Sequence, residues 1–231
     1  MKYSLRGELL QLAPIVLMFF VAAACWSQVP DRMPIHWNVH GEVDGYGGKF
    51  VGLLLMPLVS LGTYLLLLVI PLFDPGKANY PAFAGSYNVI RFSIALFLGT
   101  IYAITVLIAL GYHANMNLGV GIGLGLMFIM LGNVMGKIRP NWFVGVRTPW
   151  TLSSKMSWTK THRLAGWLFI AMGLLAFIWA LVQTTWMFVA MMVVDVACAI
   201  LIVVYSYLVY RTDPLRSSPA GTSPAGSTGP E

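Results

Sequence analysis

Charge is scarce in this sequence. Asp, Glu, Lys and Arg make up 10% of its 231 residues, against about a quarter in a soluble domain. Hydrophobic residues supply 58%, and the mean hydropathy is +0.76. Such a chain cannot cover itself with water-compatible side chains, which excludes a soluble globular protein. Acids are the scarcer sign, eight against fourteen bases. There are no paired carboxylates, no Ser/His/Asp set and no His-Glu-x-x-His pattern. The sequence therefore states no reaction, and no enzyme is expected. Cysteine is nearly absent: Cys25 and Cys198 have a spacing that fits no metal or redox motif. They read as free thiols, and no cofactor is expected. No internal repeat of the transporter kind is visible.

Long apolar runs are what the chain has in quantity. A span needs about 20 residues to cross a hydrocarbon core of about 30 Å. Six runs qualify, at 9–28, 51–73, 92–112, 118–136, 164–182 and 187–210. The predicted fold class is an all-α integral membrane protein, a bundle of about six transmembrane helices. We divide it into an N-terminal unit, 1–112, and a second unit, 113–211, followed by a tail, 212–231. From Ser217 the tail is Ser, Pro, Gly, Ala and Thr and is expected to be disordered. Lys2 and Arg6 ahead of Leu9–Ala24, with Ala22-Ala23-Ala24-Cys25 after them, resemble a signal peptide or lipoprotein site. Pro14 and the continuation to Trp26 favour a retained helix. Gly119, Gly121, Gly123 and Gly125 form two overlapping small-xxx-small pairs, which permit close helix contact.

The basic residues fall unevenly. With the N-terminus inside, twelve of the fourteen lie in inner segments, and only Arg32 and Lys49 lie outside. That bias predicts an N-in/C-in membrane protein. The net charge of +6 then reflects topology and attraction to anionic lipids of the cytoplasmic leaflet. The charges form no soluble basic face, so no direct nucleic acid binding is expected.

Two loops and one buried acid hold the candidate residues. The inner loop, 137–163, has six Lys or Arg, no acid, and Trp142, Trp150 and Trp158 eight residues apart. A simple connector needs only a few residues. The spacing suggests indoles at headgroup depth beside cations on lipid phosphates, and a docking surface for a partner. Ser153 or Ser154 is a suitable N-cap for the helix that follows. The outer loop, 29–50, opens with Pro30 and Pro34 and is punctuated by glycines, which predicts a compact flap with an extended stretch at Ile35–Val39. His36, His40, Glu42 and Asp44 could hold a metal. Without a helix, however, their spacing loses that meaning, and we favour a turn in which His36 and Asn38 bond the backbone. Asp195 lies within the sixth run, where an ionisable group is costly. It is read as structural glue to Thr100, Tyr102 or Thr105, in preference to a proton carrier, since no second intramembrane charge is evident.

Two segments resemble known families. Asn133, Gly136, Lys137, Pro140, Asn141, Gly145, Arg147, Thr148, Pro149, Trp150, Trp158, Thr161, His162 and Gly166 look like the signature of the SdpI family of bacterial membrane proteins. Pro30, Pro34, His36, Asn38, Gly41, Asp44, Gly45 and Lys49 resemble the loop of an uncharacterised domain often found ahead of it. The family's founding member gives immunity to a secreted peptide toxin and captures a repressor at the membrane when toxin is present. The resemblance implies immunity to, or sensing of, a membrane-active peptide outside the cell, with a cytoplasmic repressor as a further partner. It marks Asn141, Arg147, Thr148, Pro149, Trp150, Trp158 and His162, with His36, Asn38 and Asp44, as candidate functional residues; Asp195 is added on its burial. The alternatives are a small-solute or proton-coupled transporter, and a metal-binding membrane enzyme.

Overall fold

A computed structural model describes residues 5–215. The predicted disorder of Ser217–Glu231 lies outside the described residues. Seven helices and one hairpin follow in order: α1 Leu5–Cys25, β1 Arg32–Trp37, β2 Val43–Gly48, α2 Lys49–Phe73, α3 Ala84–Ala109, α4 Met116–Met135, α5 Pro149–Ser153, α6 Lys155–Val182 and α7 Thr185–Arg211. A 3-10 segment, Lys77–Phe83, leads into α3. Six of the helices are long and apolar enough to cross a membrane, so the fold is the predicted all-α membrane bundle. The flap is an antiparallel hairpin, with Met33 opposite Gly47 and Trp37 opposite Val43.

α4 lies at the centre, between α3 and α6. Its alternate glycines explain this. Successive helical residues are about 100° apart, so a step of two residues turns roughly 200°. Gly119 and Gly123 therefore face α3, where an added Cβ would meet Ile104 and Phe97. Gly121 and Gly125 face the other way, onto Ala180 and Phe177 of α6. The α4–α6 contact continues at Gly132, where a Cβ would stand 2.6 Å from the carbonyl oxygen of Gly166. Lipid tails are as apolar as leucine, so close packing of this kind, not exclusion of water, drives helix association in a bilayer. Around this axis, α1, α2, α3 and Met33 of β1 share one apolar cluster. Tyr80, Phe83 and Tyr87 pack with Trp158 and Ile138 in another.

The structure adds to Asp195 a charged pair held between helices of the bundle. α1 begins at Leu5 and so includes Glu8, and α3 begins at Ala84 and so includes Arg91. Arg91, counted from sequence among the bases of the inner segments, therefore lies on a helix and is 3% exposed. Its guanidinium forks onto Glu8 at 3.0 and 2.7 Å, and Tyr64 of α2 donates to the same carboxylate at 2.7 Å. Arg91 also lies 5.0 Å from the centre of the Tyr64 ring. One bidentate pair thus ties three helices. Removing one member of a buried pair typically costs about 3–5 kcal/mol, because the other charge is left uncompensated. Arg91→Met should lower stability by about 3 kcal/mol, read as thermal unfolding in detergent. Glu8→Gln/Arg91→Met should recover most of it. A double variant no more stable than Arg91→Met would contradict the ion-pair account.

Candidate functional site

After Met135 the chain leaves α4 and makes a tight, internally bonded loop before α5. Asn141 organises it. Its side-chain carbonyl accepts from the N–H groups of Phe143 and Val144 at 3.0 and 2.6 Å. Its amide donates to the carbonyls of Arg139 and Val144 at 2.9 and 3.0 Å. Gly145 follows with φ +100°, where a Cβ would stand 2.3 Å from His162 Nε2. Only glycine fits both the backbone and the space. That approach lets the N–H of Val146 donate to His162 Nε2 at 3.0 Å. Nε2 is thereby an acceptor, so Nδ1 carries the proton and donates to the Trp158 carbonyl at 2.8 Å. The bonding pattern specifies a neutral imidazole in one tautomer. Trp158 stacks on this ring, 4.1 Å between centres, and donates its indole N–H to Ile138 at 2.9 Å.

The second half of the loop is fixed by caps. Thr148 accepts from the N–H of Thr151, and Thr151 accepts from the N–H of Thr148, a reciprocal capping box around Pro149. The Thr148 hydroxyl also pairs with Ser206 of α7 at 3.0 Å. Ser154 caps α6 by accepting from Ser157 at 2.9 Å and donates to the carboxylate of Asp213. Ser157 donates to the Ser206 carbonyl at 2.7 Å. Trp150 packs on Tyr207, 5.0 Å between ring centres.

The candidate residues therefore separate into two groups. Asn141, Thr148, Trp158 and His162 are buried and brace the loop from within. Trp158 is not an interfacial indole: it is 1% exposed, because α6 starts at Lys155 and turns it onto Ile138. Arg147 and Pro149 are exposed and Trp150 is half-buried. Arg147 donates to the Trp142 carbonyl at 2.8 Å, and Trp142 and Phe143 beside it are exposed.

The outer candidates sit on the hairpin, at the other end of the bundle. His36 Nδ1 pairs with Asp44 at 2.5 Å, not with the backbone as expected. Asn38 does bond the backbone, accepting from His40 and Glu42 at 2.9 and 3.1 Å. Asp195 falls in neither place. It is half-buried on α7, which packs mainly on α6 and α5. Its expected partners on α3 are not reached. Thr100 and Thr105 bond carbonyls of their own helix, and Asp195 Oδ1 has no partner among the described residues.

Sequence reasoning missed two acids that anchor the inner loop. Asp74, 1% exposed, accepts from the N–H of Gly76 and Trp142 and from the Tyr80 hydroxyl. It joins the α2–α3 connection to the α4–α5 loop. Asn79 reinforces the join, donating to Pro140 at 2.7 Å. Asp213, assigned from sequence to the tail, is buried and holds Ser154. The turn signal Asp74-Pro75-Gly76 was visible, but its partner lies 68 residues on.

A multi-helix membrane bundle with a connecting loop folded against a buried histidine defines the class: a polytopic membrane protein with a structured loop at one end and an ordered hairpin at the opposite end. Residues 137–206 match the SdpI/YfhL protein family, and residues 14–61 match a domain of unknown function, DUF1648. The Immunity protein SdpI of Bacillus subtilis (strain 168) is 24% identical over 207 residues, 90% of this chain and 97% of that protein. No solved structure matches. Residues 137–206 thus carry the SdpI/YfhL family match, with the DUF1648 match ahead of it in the chain.

Asp74→Ala would strand two N–H groups and a buried hydroxyl. Each buried group left unsatisfied costs about 1–3 kcal/mol. The variant should unfold at lower temperature in detergent and should be cut faster by trypsin at Lys77 and Lys137. Unchanged proteolysis would mean that Asp74 does not fasten the two loops.

Proposed function

We propose that this chain is an immunity-type protein of the bacterial cell membrane that neutralises or senses a secreted, membrane-active peptide. The observation that carries the reading is the similarity to an immunity protein over 90% of this chain and 97% of the relative. A match of that extent takes in the hairpin, the bundle and the folded loop together. We propose an N-in/C-in topology, from the distribution of Lys and Arg. The hairpin then meets the peptide outside, and the loop faces anionic lipids inside.

The exposed part of the loop, Trp142, Phe143, Arg147 and Pro149, is the surface we assign to a cytoplasmic regulator. Arg147 spends one guanidinium nitrogen on the Trp142 carbonyl, and a guanidinium has further donors suited to a carboxylate or phosphate. The transporter alternative rested on Asp195, which lies on a peripheral helix. The metal alternative rested on the outer histidines. His36 is engaged with Asp44, and no group of three His, Cys, Asp or Glu converges among the described residues.

Two experiments bear on this reading. The first is topology. Gly48 is exposed with open space around its Cβ, and Lys160 is exposed on α6. Cysteines at these positions, in a chain lacking Cys25 and Cys198, should react with a membrane-impermeant maleimide from opposite sides. Labelling of both from outside would refute the orientation. The second is Arg147→Ala. The side chain is exposed, so the variant should accumulate normally, as surface changes usually cost within about 0.5 kcal/mol. Signalling, read by a reporter under peptide challenge, should fall while Arg147→Lys retains only part of it. Full signalling in Arg147→Ala would remove Arg147 from the partner surface.

A further inference from the structure

A cleft of about 410 Å³ opens at the hairpin end of the bundle. One wall is the unbroken run Ile35–Val39, the end of β1 and its turn; the floor is Val120 of α4, Trp179 of α6 and Phe188 of α7. Trp179 and Phe188 pack on each other, 5.2 Å between ring centres. The cleft therefore lies between the two family-matched units. Two contacts hold the hairpin tip over it. Asn117 donates to the Val39 carbonyl at 3.1 Å, and His40 meets Thr185 at 3.4 Å.

The wall is a strand edge. β1 pairs with β2 on one side only, and the sheet has two strands. Among the described residues no further hydrogen bond reaches the backbone of 32–37. Pro34 lies in β1, as suits an edge strand. The register shifts between Pro34 and His36, so Ile35 bulges out of the ladder. An open edge presents unpaired N–H and C=O groups, which is a template for another extended chain. A lipid tail can fill an apolar cleft but cannot pair with these groups. A peptide can do both, bonding main chain to main chain and placing alternate side chains into the cleft.

We propose that this cleft is a peptide-binding site, in which an extended segment of a peptide adds a strand to the free edge of β1 and seats an apolar side chain against Trp179 and Phe188. The inference rests on the immunity reading for the source of the peptide and deepens it by naming where and in what conformation the peptide is held. Strands rise about 3.3 Å per residue, so the strand residues Ile35–Trp37 accommodate a segment of similar length, and the backbone of Asn38 and Val39, bonded within the turn and to Asn117, closes its end. Recognition through main-chain groups is tolerant of sequence.

That tolerance makes a generic strand-forming peptide a valid probe. The full chain in phosphatidylcholine nanodiscs is titrated with fluorescein-labelled Lys-Val-Thr-Val-Thr-Val-Lys amide, with empty discs as background. We expect saturable binding to the protein and cross-linking of the probe by p-benzoylphenylalanine at Ile35 but not at Leu201, an exposed position on α7. Methylating alternate backbone nitrogens of the probe should weaken binding about tenfold, the loss of roughly one or two hydrogen bonds. Val120→Trp, which fills the floor from α4 without altering the hairpin, should weaken it similarly. If Val120→Trp does not fold, the cross-linking and methylation results decide. Absence of saturable binding, equal binding of both methylation series and the parent, or a phospholipid held at Ile35 that the probe does not displace would overturn the site. Cell challenge separates the two levels. If Val120→Trp loses the probe but still protects cells as well as the wild type, the cleft is not the relevant site and the immunity reading stands. If the wild type binds the probe as described but protects no cell, the immunity reading falls and the strand-accepting site stands.

Discussion

The close approach of α4 to its two neighbours is the constraint on which the bundle depends. A helix in lipid gains little by hiding leucine from leucine; it gains by bringing backbones near enough for dense dispersion contact. Glycines two residues apart supply opposite flat faces, one for α3 and one for α6. α4 therefore couples the N-terminal helices to α6 and, through α6, to α7. A side chain at Gly121 or Gly132 would collide with neighbouring backbone or with Ala180, so the separation between helices is set by atoms that cannot move aside. The positions of both functional loops follow from that spacing.

The polar residues finish what the glycines begin. Glu8 and Arg91 join α1 to α3 within the bundle, and Tyr64 brings in α2. At one end Asp74 and Asn79 fasten the α2–α3 connection to the loop after α4. Asp213 and Ser206 fasten the same loop to α7. A loop of this length costs conformational entropy to order, and the buried network of Asn141, His162, Thr148 and Ser154 offsets it. The exposed residues left over, Trp142, Phe143, Arg147 and Pro149, are presented on a rigid support. The hairpin is held more lightly, by Asn117 and His40 at its tip, with its strand edge left open.

Much of the fold was legible because composition alone forces it. Six apolar runs, a glycine pattern of period two and four, and the Ser154 cap each have a local physical meaning that needs no partner. The candidate site was legible only in outline. The inner loop was identifiable from its length and its lack of acids, and the Ser154 cap puts Trp158 and His162 on the helix that follows, yet both face inward and not toward the interface. Indole and imidazole are amphipathic, and their type does not say which end meets water. The expected partners of Asp195 were misjudged for a similar reason. Depth along a helix can be counted from sequence, but which way the helix faces cannot. The ion pair of Arg91 was missed because α3 begins two turns before the third apolar run, and with it Glu8 was overlooked.

The sequence by itself determined that the chain is a multi-helix membrane protein with one folded loop rich in Lys, Arg and Trp and one turn-rich flap, because hydropathy, charge bias and glycine spacing act over a few residues at a time. Only the tertiary structure decided which polar groups are braces and which are free. The partners of Glu8, Asp74, Ser154 and Thr148 lie 83, 68, 59 and 58 residues away. Hydrogen bonds reach only about 3 Å, so such pairings exist only once the helices have packed.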